Sequence, residues 1–205
     1  MENVNNNSLK IINYDTAILM FLQVIKWSLL NQMLCQFFSK KRARNHVSFI
    51  HSLLCLYKIY SNQYENLSLL SISYFFNDII YIVFNYSKSE KIYLYHHLIC
   101  ILFLLEFNQL NLYELYYIYG VGELSNIFTY IVYDMLKSDT SQLIVNKVKY
   151  IQILWYIFFR VICFTYFIYS KSDAYFQLKI HSQIGGLLIY CMGLVWSYNQ
   201  VRSLV

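Results

Sequence analysis

Apolar residues run along this chain in long stretches, broken only by short charged interruptions. Cutting at those interruptions gives seven candidate helices, residues 16–38, 46–61, 67–86, 92–108, 111–135, 149–170 and 180–198. Crossing about 30 Å of bilayer hydrocarbon takes about 20 helical residues at 1.5 Å each, and most of the stretches reach or approach that length. The second, HVSFIHSLLCLYKIYS, is the shortest and is expected to stand nearly upright or to lie partly in the interface. The pattern predicts an all-α integral membrane protein, a bundle of about seven transmembrane helices. A polar tail, residues 1–15, precedes the first helix, and its asparagine-rich start reads as disordered. With no small-residue cleavage site behind it, 16–38 reads as a retained span or signal anchor.

Composition excludes a soluble domain: of 205 residues 58% are hydrophobic and only 13% charged. The net charge of +5 does not make a nucleic-acid face, because most Lys and Arg fall in short loops. With the seven helices alternating sides, SKKRARN, SKSEK, residues 137–149 and Arg202 put ten basic residues on one face, against Lys10, Lys171 and Lys179 on the other. That asymmetry predicts a lumenal or outside amino terminus and a cytosolic carboxyl terminus, in an endomembrane such as the endoplasmic reticulum, or a host membrane if the chain is viral. Lys26, Lys58 and Arg160 fall within spans and need a partner or a snorkelling route. Five cysteines, an odd number, each inside an apolar run, read as free thiols. Proline is absent, and the Asn, Ile, Lys and Tyr bias suits an AT-rich genome.

Polar groups in hydrocarbon are costly and therefore informative. Counted from the expected helix ends, His51, Asp78, His96 and His97 all lie roughly 7–12 Å below the cytosolic face, delivered by three helices. Asp78 has only tyrosines beside it on its own helix, so its partner is expected from another helix, with the histidines as candidates. His96 and His97 point about 100° apart, so that one faces a cleft while the other packs. Glu123 and Arg160 occupy a second layer near mid-span and are expected to form a structural ion pair. Glu106, Glu114, Lys58 and His181 are expected to be solvated near the opposite interface.

Four stretches now carry a resemblance. VSFIHS resembles the Val-Ser-x-x-His-Ser opening of the TLC domain, the membrane domain shared by ceramide synthases, translocation-associated membrane proteins and smaller lipid-homeostasis proteins. ISYFFNDIIYIV resembles its Tyr-Phe, Asp helix, YHHL its His-His signature, and GELSNIF the Glu-x-Ser helix of the non-synthase members. The resemblance covers residues 40–200 and implies a six-helix domain preceded by one span. The chain also departs from the family. Where ceramide synthases have a second motif, Leu-His-Asp-x-Ser-Asp, this chain has Glu123 in Gly-Glu-Leu-Ser-Asn-Ile. Ile127, Tyr130 and Val132 stand where non-synthase members usually carry Pro and Asn-x-Arg.

The resemblance implies a divergent, non-synthase member that binds or senses membrane lipid, of sphingolipid or phospholipid class, in lipid homeostasis or trafficking. Its lipid-binding residues would be His51, Asp78, His96 and His97. No cofactor, metal or nucleic acid is expected, and self-association into a homo-oligomer is compatible with the composition. One alternative is a ceramide-synthase-like N-acyltransferase in which His96 or His97 is base or nucleophile and Asp78 orients it. Another is a metal-dependent membrane lipid hydrolase; three imidazoles and Asp78 at one depth are a tetrahedral donor set, although di-iron hydroxylases need more histidines than the five present. A transporter is the remaining alternative, resting on Glu123 and Arg160.

Overall fold

Long apolar runs without a single proline leave nothing to interrupt a helix, and helix is what forms. A computed structural model describes residues 14–85 and 91–202; the asparagine-rich start and the SKSEK loop up to Glu90 lie outside them. The helices are α1 (Tyr14–Cys35), α2 (Lys40–Tyr60), α3 (Tyr64–Phe84), α4 (Lys91–Leu110) and α5 (Leu115–Met135). After these come α6 (Gln142–Ile157), a π-helical segment (Phe158–Cys163), α7 (Phe164–Ser170), the short α8 (Ser172–Phe176) and α9 (Ile180–Arg202). From Gln142 to Ser170 the helix is continuous, and no strand occurs among the described residues.

Among the described residues four helices are long and apolar enough to cross a membrane: α1, α3, the continuous α6–α7 and α9. The helix α2 begins six residues earlier than the apolar run suggests, because its basic start stays helical. Arg42 Nε reaches Asp134 of α5 at 2.5 Å, and Arg44 reaches Asp78 of α3. Asn62 and Asn111 adopt the left-handed conformation (φ 54° and 55°) that ends a helix and turns the chain from α2 to α3 and from α4 to α5. No described glycine has positive φ; all five lie inside α5 and α9, where they admit neighbouring side chains.

Six of the long helices pack in a closed order, α2 to α3 to α4 to α9 to α6–α7 to α5 and back to α2. The helix α1 lies outside this ring against α2 and α3. Trp27 is its one buried residue, with the indole N–H donating to the Leu70 carbonyl at 3.3 Å.

The polarity is inverted relative to a soluble domain. Large apolar side chains such as Phe21, Leu143, Leu154 and Leu187 face outward, while His51, Asp78, His97, Glu123 and Arg160 are buried inside. Outward hydrocarbon and inward polarity are what lipid surroundings require.

Two expectations about the far end are corrected or kept by packing. Glu106 is not solvated: at 5% exposure it accepts from the Lys179 backbone N–H at 2.5 Å and from the Ser182 hydroxyl. Those donors start α9, so a carboxylate from α4 caps the N-terminus of another helix, where a negative charge is favoured. Glu114 does reach the surface, paired with Lys171 at 2.5 Å, and the His181 side chain is 55% exposed.

Candidate functional site

The polar residues of the interior occupy two tiers. The shallower one is centred on Asp78. Arg44 donates to it through Nε (2.6 Å) and Nη2 (2.8 Å), and His97 Nε2 lies 2.6 Å from its Oδ2. Asp78 therefore accepts from an imidazole on α4 and a two-pronged guanidinium on α2, which holds three helices together. Tyr81 and Tyr93 flank the Arg44 cation at 5.2 and 5.9 Å. His97 also stacks on Phe75, with ring centres 4.9 Å apart, and its buried Nδ1 has no hydrogen-bond partner.

The deeper tier is centred on Glu123. Ser52 donates to its Oε2 at 2.5 Å, and His51 Nδ1 lies 3.8 Å from the same oxygen. His51 is a fully packed core histidine, 1% exposed, stacked on Tyr74 at 3.8 Å, with Nε2 3.2 Å from the Ser71 hydroxyl. It does not share the level of Asp78, as counting from residue 46 suggests. With α2 starting at Lys40, His51 is about 16 Å along the helix, close to the depth of Glu123.

Glu123 and Arg160 do not form the expected ion pair. Arg160 has no ion pair or hydrogen bond among the described residues, and its Nε is buried without a partner. The π-helical segment accounts for the difference. Its i→i+5 turns insert an extra residue, so the face on which Arg160 emerges cannot be counted from α6 at 100° per residue. Gly122 and Gly193 leave the room the side chain occupies; a Cβ on either would come within 2.7 Å of Nη1 or 2.8 Å of Cγ.

Beside these tiers lies a narrow cavity of about 70 Å³, walled by α4, α5, the π segment, α7, α8 and α9. Its polar lining is His96, Glu123, Asn126 and Arg160; beyond them it is walled by residues such as Phe103, Phe107, Leu115 and Phe164. At its apolar end Tyr175 donates to the Gln183 carbonyl at 2.5 Å, and burial raises the phenol above its ordinary range, keeping it a donor.

The site therefore differs from a single pocket lined by His51, Asp78 and a histidine of the pair. The neighbouring imidazoles divide: His96 lines the cavity, while His97, like His51 and Asp78, stays behind its wall. The carboxylate that orients an imidazole at hydrogen-bond distance belongs to His97, whereas among the described residues the Cys100 sulfur, at 3.7 Å, is what His96 meets within bonding reach. Among the described residues no three His, Cys, Asp or Glu side chains are grouped to hold a metal ion. Sequence reasoning missed Arg44, counted as a loop charge though it stands seven residues before His51 on the same helical face. It also missed the seat made by Gly122 and Gly193.

The four stretches that carry the resemblance touch one another. Ser48 of VSFIHS bonds the Tyr74 hydroxyl of ISYFFND at 2.8 Å, Ser52 bonds Glu123 of GELSNIF, and Asp78 bonds His97 of YHHL. Comparison with known protein families, with curated proteins and with solved structures finds no match to the chain.

Proposed function

We propose that the chain is a divergent TLC-type protein with seven membrane spans that binds membrane lipid in the cavity beside His96 and serves lipid homeostasis or trafficking. One observation carries this reading: motif stretches from α2, α3, α4 and α5 interlock through buried polar contacts, and the two on α4 and α5 line one narrow cavity with a polar end and an apolar remainder. Such a lining, polar at one end and apolar along the rest, suits an amphiphile. The packing order supports it too, with six helices in a ring and α1 outside, the arrangement expected of one span preceding a six-helix domain. In this reading the amino terminus is lumenal, the carboxyl terminus cytosolic and the membrane an endomembrane.

Binding is favoured over N-acyl transfer because the two halves of a histidine catalyst fall on different residues. His97 has the orienting carboxylate without the cavity, and His96 has the cavity without the carboxylate. The test is mass spectrometry of lipid extracted with the full chain in polymer nanodiscs, compared with the surrounding membrane and with His96→Ala. One lipid class is expected to be enriched over bulk and to fall in the variant. Bulk composition in both samples would refute lipid binding, and a histidine-dependent N-acyl product from acyl-CoA and long-chain base would make the protein an enzyme.

A further inference from the structure

Arg160 is 4% exposed and makes no hydrogen bond and no ion pair among the described residues; the Glu123 carboxylate, on the same cavity, acts on it only from beyond ion-pair distance. A guanidinium cannot shed its charge, so it requires an anion or a route to water. No route is open along its own helix. Arg160 stands ten residues before Ser170 and eighteen after Gln142, about 15 and 27 Å of helix, and its stem is held between Gly122 and Gly193. The adjacent aromatic rings, Tyr156 and Phe164, have centres 5.9 and 6.0 Å from the cation, a weak substitute for an anion. The guanidinium instead lines the cavity.

We propose that Arg160 is the receptor for the carboxylate head of a single-chain amphiphile, the chemical class of a free fatty acid, with the chain lying along the cavity toward Phe107. This rests on the lipid-binding reading and deepens it. The planar fork of a guanidinium matches a carboxylate through two parallel N–H···O bonds. A monoanion fits better than a phosphate dianion because Glu123 lines the same polar end and each negative charge brought there meets its repulsion, which only close contact with Arg160 offsets. The enclosed space of about 70 Å³ seats a carboxylate and the first carbons of a single chain, whose remainder passes between the helices, and it excludes a diacyl body. From His96 to Phe107 the lining of α4 advances about 16 Å, the extended length of about a dozen chain bonds.

The experiment is displacement of a fluorescent polyene fatty acid from the full chain in nanodiscs of neutral lipid, with tetradecanoate, tetradecanol, tetradecyl phosphate and hexanoate as competitors. Tetradecanoate is expected to displace the probe at a concentration about tenfold or more below tetradecanol and below tetradecyl phosphate, and hexanoate to be ineffective. Arg160→Gln is expected to erase the difference between acid and alcohol. Equal potency of tetradecanol overturns the carboxylate receptor while leaving lipid binding standing. Greater potency of the phosphate overturns the choice of head group, and equal potency of hexanoate overturns the chain. If the probe does not bind, this proposal falls, while the lipid-binding reading stands or falls on the extracted lipid. The comparison of head groups uses the unmodified chain, so it decides the matter even if Arg160→Gln does not fold.

Discussion

Replacing Asp78 with alanine removes the carboxylate that Arg44 and His97 share. Arg44 loses contacts at 2.6 and 2.8 Å, and His97 loses one at 2.6 Å. Removing one member of a buried charge pair costs about 3–5 kcal/mol, whereas interhelical hydrogen bonds within bilayers average about 0.6 and reach about 1.7 kcal/mol. The Arg44 side chain retains 18% exposure and keeps its contacts with the Tyr81 and Tyr93 rings, which places the expected cost of Asp78→Ala near the lower bound, about 3 kcal/mol. His97→Ala leaves Asp78 clamped by Arg44 and forfeits one hydrogen bond and the Phe75 stacking, about 1–2 kcal/mol. In the double variant the imidazole is already gone, so the costs should sum to more than the double variant shows, by about 1 kcal/mol. The assay is reversible unfolding in mixed micelles with increasing dodecyl sulfate, followed by helical circular dichroism. If His97→Ala costs as much as Asp78→Ala, or if the two costs are strictly additive, Asp78 is not the shared acceptor.

Glu106→Ala should cost about 1–2 kcal/mol, because it removes the acceptor for the Lys179 N–H and the Ser182 hydroxyl at the start of α9. Hydrogen exchange should speed up at residues 179–183 and nowhere on α3, and unchanged exchange there would remove the cap from the account. For topology, Asp139→Cys and Asp173→Cys place thiols at exposed positions on either side of the continuous Gln142–Ser170 helix. A membrane-impermeant maleimide is expected to label the first from the cytosolic face and the second from the opposite face, above the unsubstituted background. Labelling of both from one face would refute a crossing by that helix.

The helices themselves were readable because each is an apolar run that no proline interrupts, and all seven expected stretches have a helical counterpart. Their ends were less readable, since cutting at charges discards residues such as Arg42 and Arg44 that remain helical by finding carboxylates on other helices. The same limit hid the true depth of His51. For His96 and His97 the sequence said that one would face a cleft and the other would pack; which one depends on the rotation of α4 against α3 and α9, a tertiary quantity. Glu123 and Arg160 are a sharper case. Similar depth suggested a pair, but the π-helical segment changes the rotational phase of Arg160, and no spacing rule for an α-helix carries through it.

The position of α9 in the ring also sets an order of biosynthesis. The wall of the Arg160 seat supplied by Gly193 is made 33 residues after the arginine it encloses, and α9 must also meet α4 before the ring closes. A nascent chain halted after α7 therefore holds a cation in the bilayer with one side of its enclosure missing. Until α9 docks, that intermediate has the cost of an incompletely enclosed charge to bear.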